Sequence, residues 1–191
     1  MEFKSVATKR GDTGETDTFG QGRVLKDHIA VEAVGKLDAL QAEFGVVLAL
    51  MQSEKYEFIT VYFRKLTKDV QSAIFALNGD IISLPTSQKN RDFYFDDGIL
   101  KMVEDLLSEI EVKMPPIQNF CYPAGDLVAC SLHKLRTVCR ETEIMLVKYN
   151  KNFVLPNGAM AFINRLSDLI FVMARWVNIE LSIGENLWQL K

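Results

Sequence analysis

The sequence predicts an all-α protein, a five-helix up-and-down bundle, and three observations carry that expectation. Apolar residues recur at three- and four-residue steps through five segments. Val, Ile and Phe within those segments show no two-residue alternation, so no strand is expected. The connections carry helix stop and start signals, as between antiparallel neighbours in a bundle.

The first helix is expected over residues 27–51, with Ile29, Ala33, Leu37, Leu40, Phe44 and Leu48 on one face. A second runs from about Lys55 to Leu77, striped by Ile59, Tyr62, Leu66, Val70, Ile74 and Leu77, and Asn78-Gly79 reads as its close. Residues 79–95 then read as an irregular connection, polar around Ser87-Gln88-Lys89-Asn90-Arg91. A third, shorter helix over residues 97–113 carries Leu100, Val103, Leu107 and Ile110, and Pro115-Pro116 stops it. The fourth begins after Pro123-Ala124-Gly125, takes Asp126 as its N-cap and reaches about Tyr149. The fifth spans about Asn157 to Ile183, after Pro156. No internal repeat, low-complexity tract or linker divides the 191 residues. One domain over residues 1–191 is expected, with residues 1–26 as an N-terminal loop segment.

With 48% hydrophobic residues the chain can bury one sizeable core. A net charge of −3 argues against nucleic acid as the main partner, because phosphate backbones select basic faces. No apolar run approaches the roughly 20 residues of a membrane-spanning helix. The first residues, Met-Glu-Phe-Lys-Ser-Val-Ala, hold no signal-peptide core, so a cytoplasmic location is expected. Cys121, Cys130 and Cys139 are odd in number and lack Cys-x-x-Cys spacing; reduced thiols fit that compartment.

Chemistry begins in residues 8–17, Thr-Lys-Arg-Gly-Asp-Thr-Gly-Glu-Thr-Asp. Gly11 and Gly14 can turn consecutive N–H groups towards one point, the concave arrangement that cradles phosphate oxygens. Lys9 and Lys26 could neutralise such an anion, and Asp12 or Asp17 could steer a bound magnesium. The stretch lacks P-loop spacing and no strand precedes it, so a polar loop with glycine turns is the plain alternative.

Two helices carry polar groups where a bundle should be apolar. Arg136, Arg140 and Glu143 fall at i, i+4 and i+7 on the fourth, one turn after His133. Asn164, Asp168 and Arg175 share a stripe on the fifth. Buried unpaired charge costs several kcal/mol, so these groups are paired, solvated or facing a ligand. Interhelical salt bridges are one outcome and a polar ligand pocket the other. Two arginines suit a phosphate chain in forked geometry, and Asn164 suits a sugar or base edge. No Glu-x-x-His pair or Gly-x-Ser-x-Gly elbow is present, and Cys139 and His133 read as packing residues.

Three separated blocks make the chain resemble the PduO-type ATP:corrinoid adenosyltransferases. The first is Thr8 to Thr16, continued by Gly22 to Asp27 and Glu32 to Asp38. The second is Pro115 to Phe120, then Arg136-Thr137-Val138-Cys139-Arg140 with Glu143. The third runs from Asn164 to Arg175. The resemblance implies a homotrimeric five-helix bundle with active sites between subunits. It implies transfer of the 5′-deoxyadenosyl group of ATP to the cobalt of a reduced corrinoid, forming adenosylcobalamin and releasing triphosphate. Phe120, Arg140 and Asn164 would be the catalytic residues. ATP contacts would come from Thr8, Lys9, Arg10, Gly11, Asp12, Thr16, Asp17 and Lys26, with Arg140, Glu143 and Asn164. Phe120, Ser167 and Phe171 would line the corrin pocket, and Asp38 with Arg136 would tie neighbouring subunits together. Magnesium would travel with ATP rather than on protein ligands. A flavoprotein reductase and an adenosylcobalamin-dependent enzyme are the implied partners.

The chain departs from the family at Glu141, where relatives carry a second arginine, and at Ile144, Ala39, Gln41 and Ala124. A carboxylate beside the expected triphosphate keeps open a non-catalytic descendant that carries or senses corrinoid or nucleotide. A bundle whose polar stripes serve assembly alone is the third possibility.

Overall fold

Apolar periodicity closes into five helices in the computed structural model, which describes residues 7, 9–18, 22–83 and 95–188. They are α1 (Ile29–Leu50), α2 (Glu57–Ile82), α3 (Gly98–Glu111), α4 (Leu127–Tyr149) and α5 (Ala159–Glu180). α4 packs along both α1 and α5, while α2 lies on α1 and α3 on α5. Phe44 of α1 stacks on Phe63 of α2 at 5.5 Å, and Leu132, Leu135, Leu166 and Ile170 close the interior between α4 and α5. Each such buried side chain contributes about 1.5–3 kcal/mol, which is what holds amphipathic helices together.

The start of α4 is pinned from three sides. Asp126 accepts from the Val128 N–H at 2.8 Å, from the Tyr56 hydroxyl at 2.8 Å and from Lys55 at 3.0 Å. Its own N–H donates to Asn178 of α5 at 3.0 Å. Burial alone would raise the Asp126 carboxyl, but the bonds from Val128, Tyr56 and Lys55 outweigh it and hold the group below its ordinary value. The expected N-cap is therefore also a joint between the 3-10 turn that precedes α2 (Glu54–Tyr56), α4 and α5.

Three boundaries differ from expectation. Asn78-Gly79 does not close the second helix; α2 continues to Ile82. Leu77, Gly79, Asp80 and Ile81 are buried there, and Asp80 accepts from the Phe95 N–H at 3.1 Å. Packing outweighs the roughly 1 kcal/mol that a helical glycine costs. Of the expected connection, residues 84–94, with Ser87 to Arg91, lie outside the described residues. α5 starts at Ala159, after Gly158 at φ 79°, and ends at Glu180 rather than Ile183.

Strands were not expected, yet β1 (Glu15–Asp17) pairs antiparallel with β2 (Arg23–Leu25) in the register Glu15↔Leu25, Thr16↔Val24, Asp17↔Arg23. At 3 residues each, they are too short for a two-residue period to show in the sequence. Among the described residues no helix is long and apolar enough to cross a membrane.

Candidate functional site

The polar stripes of α4 and α5 meet along one seam, and a cavity of about 610 Å³ opens beside it, within the usual size of small-molecule sites. Arg136 and Arg140 face it from α4, Ser167, Asp168 and Phe171 from α5, and Phe120 and Trp188 from outside the helices. Phe120 is 81% exposed and sits edge-on to Trp188 at 6.4 Å. An exposed aromatic pair on a cavity rim marks a surface meant to be covered.

One end of the seam is polar. The Asn164 amide donates to Glu143 at 2.8 Å, and Arg140 stands 3.9 Å from the other Glu143 oxygen. The Arg140 side chain is 54% exposed, which leaves most of its five donors available. The other end is aromatic. The Arg136 guanidinium lies over the Phe171 ring at 5.7 Å, and His133 lies against the same ring at 6.0 Å. Arg136 Nε and His133 Nδ1 are buried without a hydrogen-bond partner. Burial, with the Arg136 charge, pushes the His133 imidazole below its ordinary pKa, so it rests neutral. Ser167 is buried and donates to the Asn164 carbonyl at 2.9 Å.

Asp38 stays apart from this group. It is exposed on α1, accepts from Gln41 at 2.8 Å and forms no ion pair with Arg136 within the chain.

The N-terminal loop is held by its own charges and turns. Arg10 pairs with Asp17 at 2.9 Å, Arg23 pairs with Glu15 at 3.2 Å, and Arg23 also donates to the Arg10 carbonyl. Lys9 (φ 59°) and Gly14 (φ 82°) take left-handed backbone angles. Gly11 does not, which corrects its expected role: it matters for space, since a Cβ there would stand 3.0 Å from Lys26 Nζ. Lys26 thus lies across Gly11, and its N–H donates to the Gly14 carbonyl at 2.8 Å. Asp12 is exposed, and Thr16 sits in β1 opposite Val24. Of the two carboxylates that could steer a magnesium, Asp17 is engaged by Arg10; among the described residues no three His, Cys, Asp or Glu side chains converge as a metal site. Thr8 lies outside the described residues. No hydrogen bond or ion pair joins residues 9–17 or 22–26 to α4 or α5.

Arg175, for which the stripe left pairing and a ligand pocket both open, is paired within the fold. Its side chain is 5% exposed and bonds both Glu185 oxygens, and it donates to the Pro115 carbonyl at 3.0 Å. The arginine pulls the Glu185 carboxyl well below its ordinary pKa. That clamp holds the segment after α5 against the Phe120 loop, where the Trp188 N–H donates to the Phe120 carbonyl at 2.7 Å and Cys121 bridges Leu187. Sequence reasoning missed Glu185 and Trp188. The signal lay in Arg175 itself, a charge inside the run Phe171–Val177 that demands a carboxylate within reach.

Glu141 turns away from the cavity and pairs with Lys36 of α1 at 2.8 Å. Cys139 is buried, donates to the Ile163 carbonyl at 3.4 Å and has its thiol pushed far up by burial, so it packs rather than reacts.

A family model described as cobalamin adenosyltransferase matches residues 6–177. A corrinoid adenosyltransferase of Bacillus subtilis (strain 168) is 31% identical over 179 residues, covering 93% of this chain and 89% of that relative. Another, from Citrobacter freundii, is 29% identical over 170 residues, covering 89% of this chain and 93% of its own length. The bundle also matches a solved variant PduO-type ATP:corrinoid adenosyltransferase from Lactobacillus reuteri, complexed with cobalamin and ATP. The TM-score is 0.87 at 23% identity, over 97% of this chain and 100% of that one, a likeness of fold. With the family model running from before the loop to the end of the α5 core, the chain belongs to the cobalamin adenosyltransferase family.

Proposed function

We propose that the chain transfers the 5′-deoxyadenosyl group of ATP to the cobalt of a reduced corrinoid, and that the two substrates meet at the α4–α5 seam. Beyond family membership, one observation carries this reading: a single cavity joins an aromatic wall, Phe120 and Trp188, to the donors of Arg140. The bond to cobalt forms as the bond from C5′ to the triphosphate oxygen breaks, the electron pair leaving with triphosphate. No proton moves, so the chain needs no nucleophile or base. It needs alignment and a field for the departing charge.

Arg140 supplies that field, with Asn164 and Glu143 fixing the nucleoside end. Phe120, Phe171 and Ser167 form the corrin side, where the Phe120 ring keeps an axial ligand from the lower face and eases reduction of cobalt. Lys9, Arg10, Gly11, Thr16 and Lys26, with Thr8, hold the phosphates, while Asp12 and Asp17, which bare phosphate would repel, approach ATP through the magnesium carried on its phosphate oxygens. That residues 9–17 and 22–26 form no bond to α4 or α5 within one chain supports a site completed by a neighbouring copy. Asp38 is exposed and Arg136 is half-buried with no ion pair among the described residues of its own chain, which suits a pairing between copies in a homotrimer. The carrier alternative rested on Glu141, and its pairing with Lys36 removes that support. The reaction consumes a reducing electron and yields a cofactor, so a flavoprotein reductase and an adenosylcobalamin-dependent enzyme in the cytoplasm are the fitting partners.

A single turnover with ATP, magnesium and chemically reduced cobalamin should show spectral conversion and triphosphate release together. Corrinoid binding without triphosphate at saturating ATP would overturn the assignment. Light scattering should give a trimer, and a stable monomer at working concentration would remove the intersubunit site.

A further inference from the structure

Asp168 faces the cavity but is spoken for on one side only. Its Oδ2 accepts from Arg165 at 2.7 Å, while Oδ1 has no partner among the described residues. Arg165 is itself shared, standing 3.5 Å from Glu104 of α3, so the local trio carries a net negative charge. Neither Arg136 nor Arg140, the cations of the same cavity, comes within ion-pair distance of Asp168. Its side chain is 47% exposed beside Ser167, on the wall that also carries Phe171.

An ionised carboxylate is an acceptor only. It gains a charge-assisted hydrogen bond from an amide N–H and is repelled by another carboxylate. The rim of a mature corrin ring carries amide side chains, whereas an unamidated corrin carries carboxylates at the same places. Resting on the adenosyltransferase function proposed above, we infer that Asp168 is a specificity-determining residue: its free oxygen accepts from a peripheral amide N–H of the corrin, so the site selects amidated corrinoids over carboxylate ones.

The test compares kcat/KM for reduced cobinamide and reduced cobyrinic acid, with ATP and magnesium, in wild type, Asp168→Asn and Asp168→Glu. Wild type should prefer cobinamide, by roughly tenfold if one charge-assisted bond is exchanged for one repulsion. Asp168→Asn can donate to a carboxylate as well as accept, so the preference should shrink several-fold, chiefly through a lower KM for cobyrinic acid. Asp168→Glu keeps the charge and should keep the preference. A variant that merely disturbs folding lowers both substrates alike and leaves the ratio unmoved. An unchanged ratio in Asp168→Asn, with wild type active on cobinamide, would overturn this inference and leave the proposed function standing. If wild type adenosylates neither corrinoid, the function and the inference fall together.

Discussion

The N-terminal hairpin keeps its shape with exposed charge pairs and backbone turns, whereas the α4–α5 seam sets its polar groups on a buried apolar floor. Arg10 and Asp17 are 63% and 51% exposed, and surface pairs of that kind contribute about 1 kcal/mol or less. The seam's charges are graded by depth. Arg140 is held loosely by Glu143, while Arg175, from the stripe on the facing helix, is locked to Glu185 and Pro115. A charge near the mouth of a cavity keeps its donors for a ligand; one that is desolvated must spend them on the fold.

Removing Arg140 should break that contrast most sharply. Arg140→Ala should lower kcat/KM by about 10²–10³-fold, the usual loss when one donor to developing charge disappears. Its melting temperature should barely move, because an exposed substitution costs no more than about 0.5 kcal/mol. A large loss of stability in thermal unfolding would make Arg140 a structural residue like Arg175.

Arg175→Met should do the reverse. Leaving Glu185 without its partner should cost about 3 kcal/mol in denaturant unfolding and loosen the Phe120 loop, weakening corrinoid affinity while ATP affinity holds. Arg175→Met with Glu185→Leu should regain most of the stability. If ATP affinity falls equally, the clamp supports the whole site and the two regions are not separable.

Acid should reach the seam through His133. The folded-state pKa of His133 is depressed, so its contribution to stability is complete above the ordinary value of 6.5 and is lost as pH falls through the lower folded value. Melting temperature should therefore drop as pH falls below about 6.5 in wild type and less in His133→Phe. Identical profiles would place the acid response elsewhere.

The smallest effect belongs to Glu141→Arg. The Lys36–Glu141 pair is 46% and 60% exposed, so its loss should cost less than about 1 kcal/mol. ATP affinity at moderate salt should change by no more than about twofold, because screening removes charges that do not face the ligand. Marked tightening in calorimetric titration would show that its field reaches the phosphates after all.

Helix number, order and the apolar faces of α1, α2 and α3 were legible in the sequence because a 3.6-residue period is a local property. So was the gathering of Arg136, Arg140 and Glu143 on one side of α4, which follows from spacing alone. The family blocks identified the chemistry. What only the tertiary structure decided are matters of partnership: that Gly79 is helical because it is buried, that Arg175 belongs to Glu185 and not to a ligand, that Glu141 turns to Lys36. Trp188 reaches the cavity and Glu185 reaches Arg175 because the chain folds back after α5, and no pattern of residues near them announces which loop they will meet. Spacing along a helix states which side chains share a face; whether that face meets water, a carboxylate or a ligand is set by what packs against it, and burial then fixes the energetic consequence.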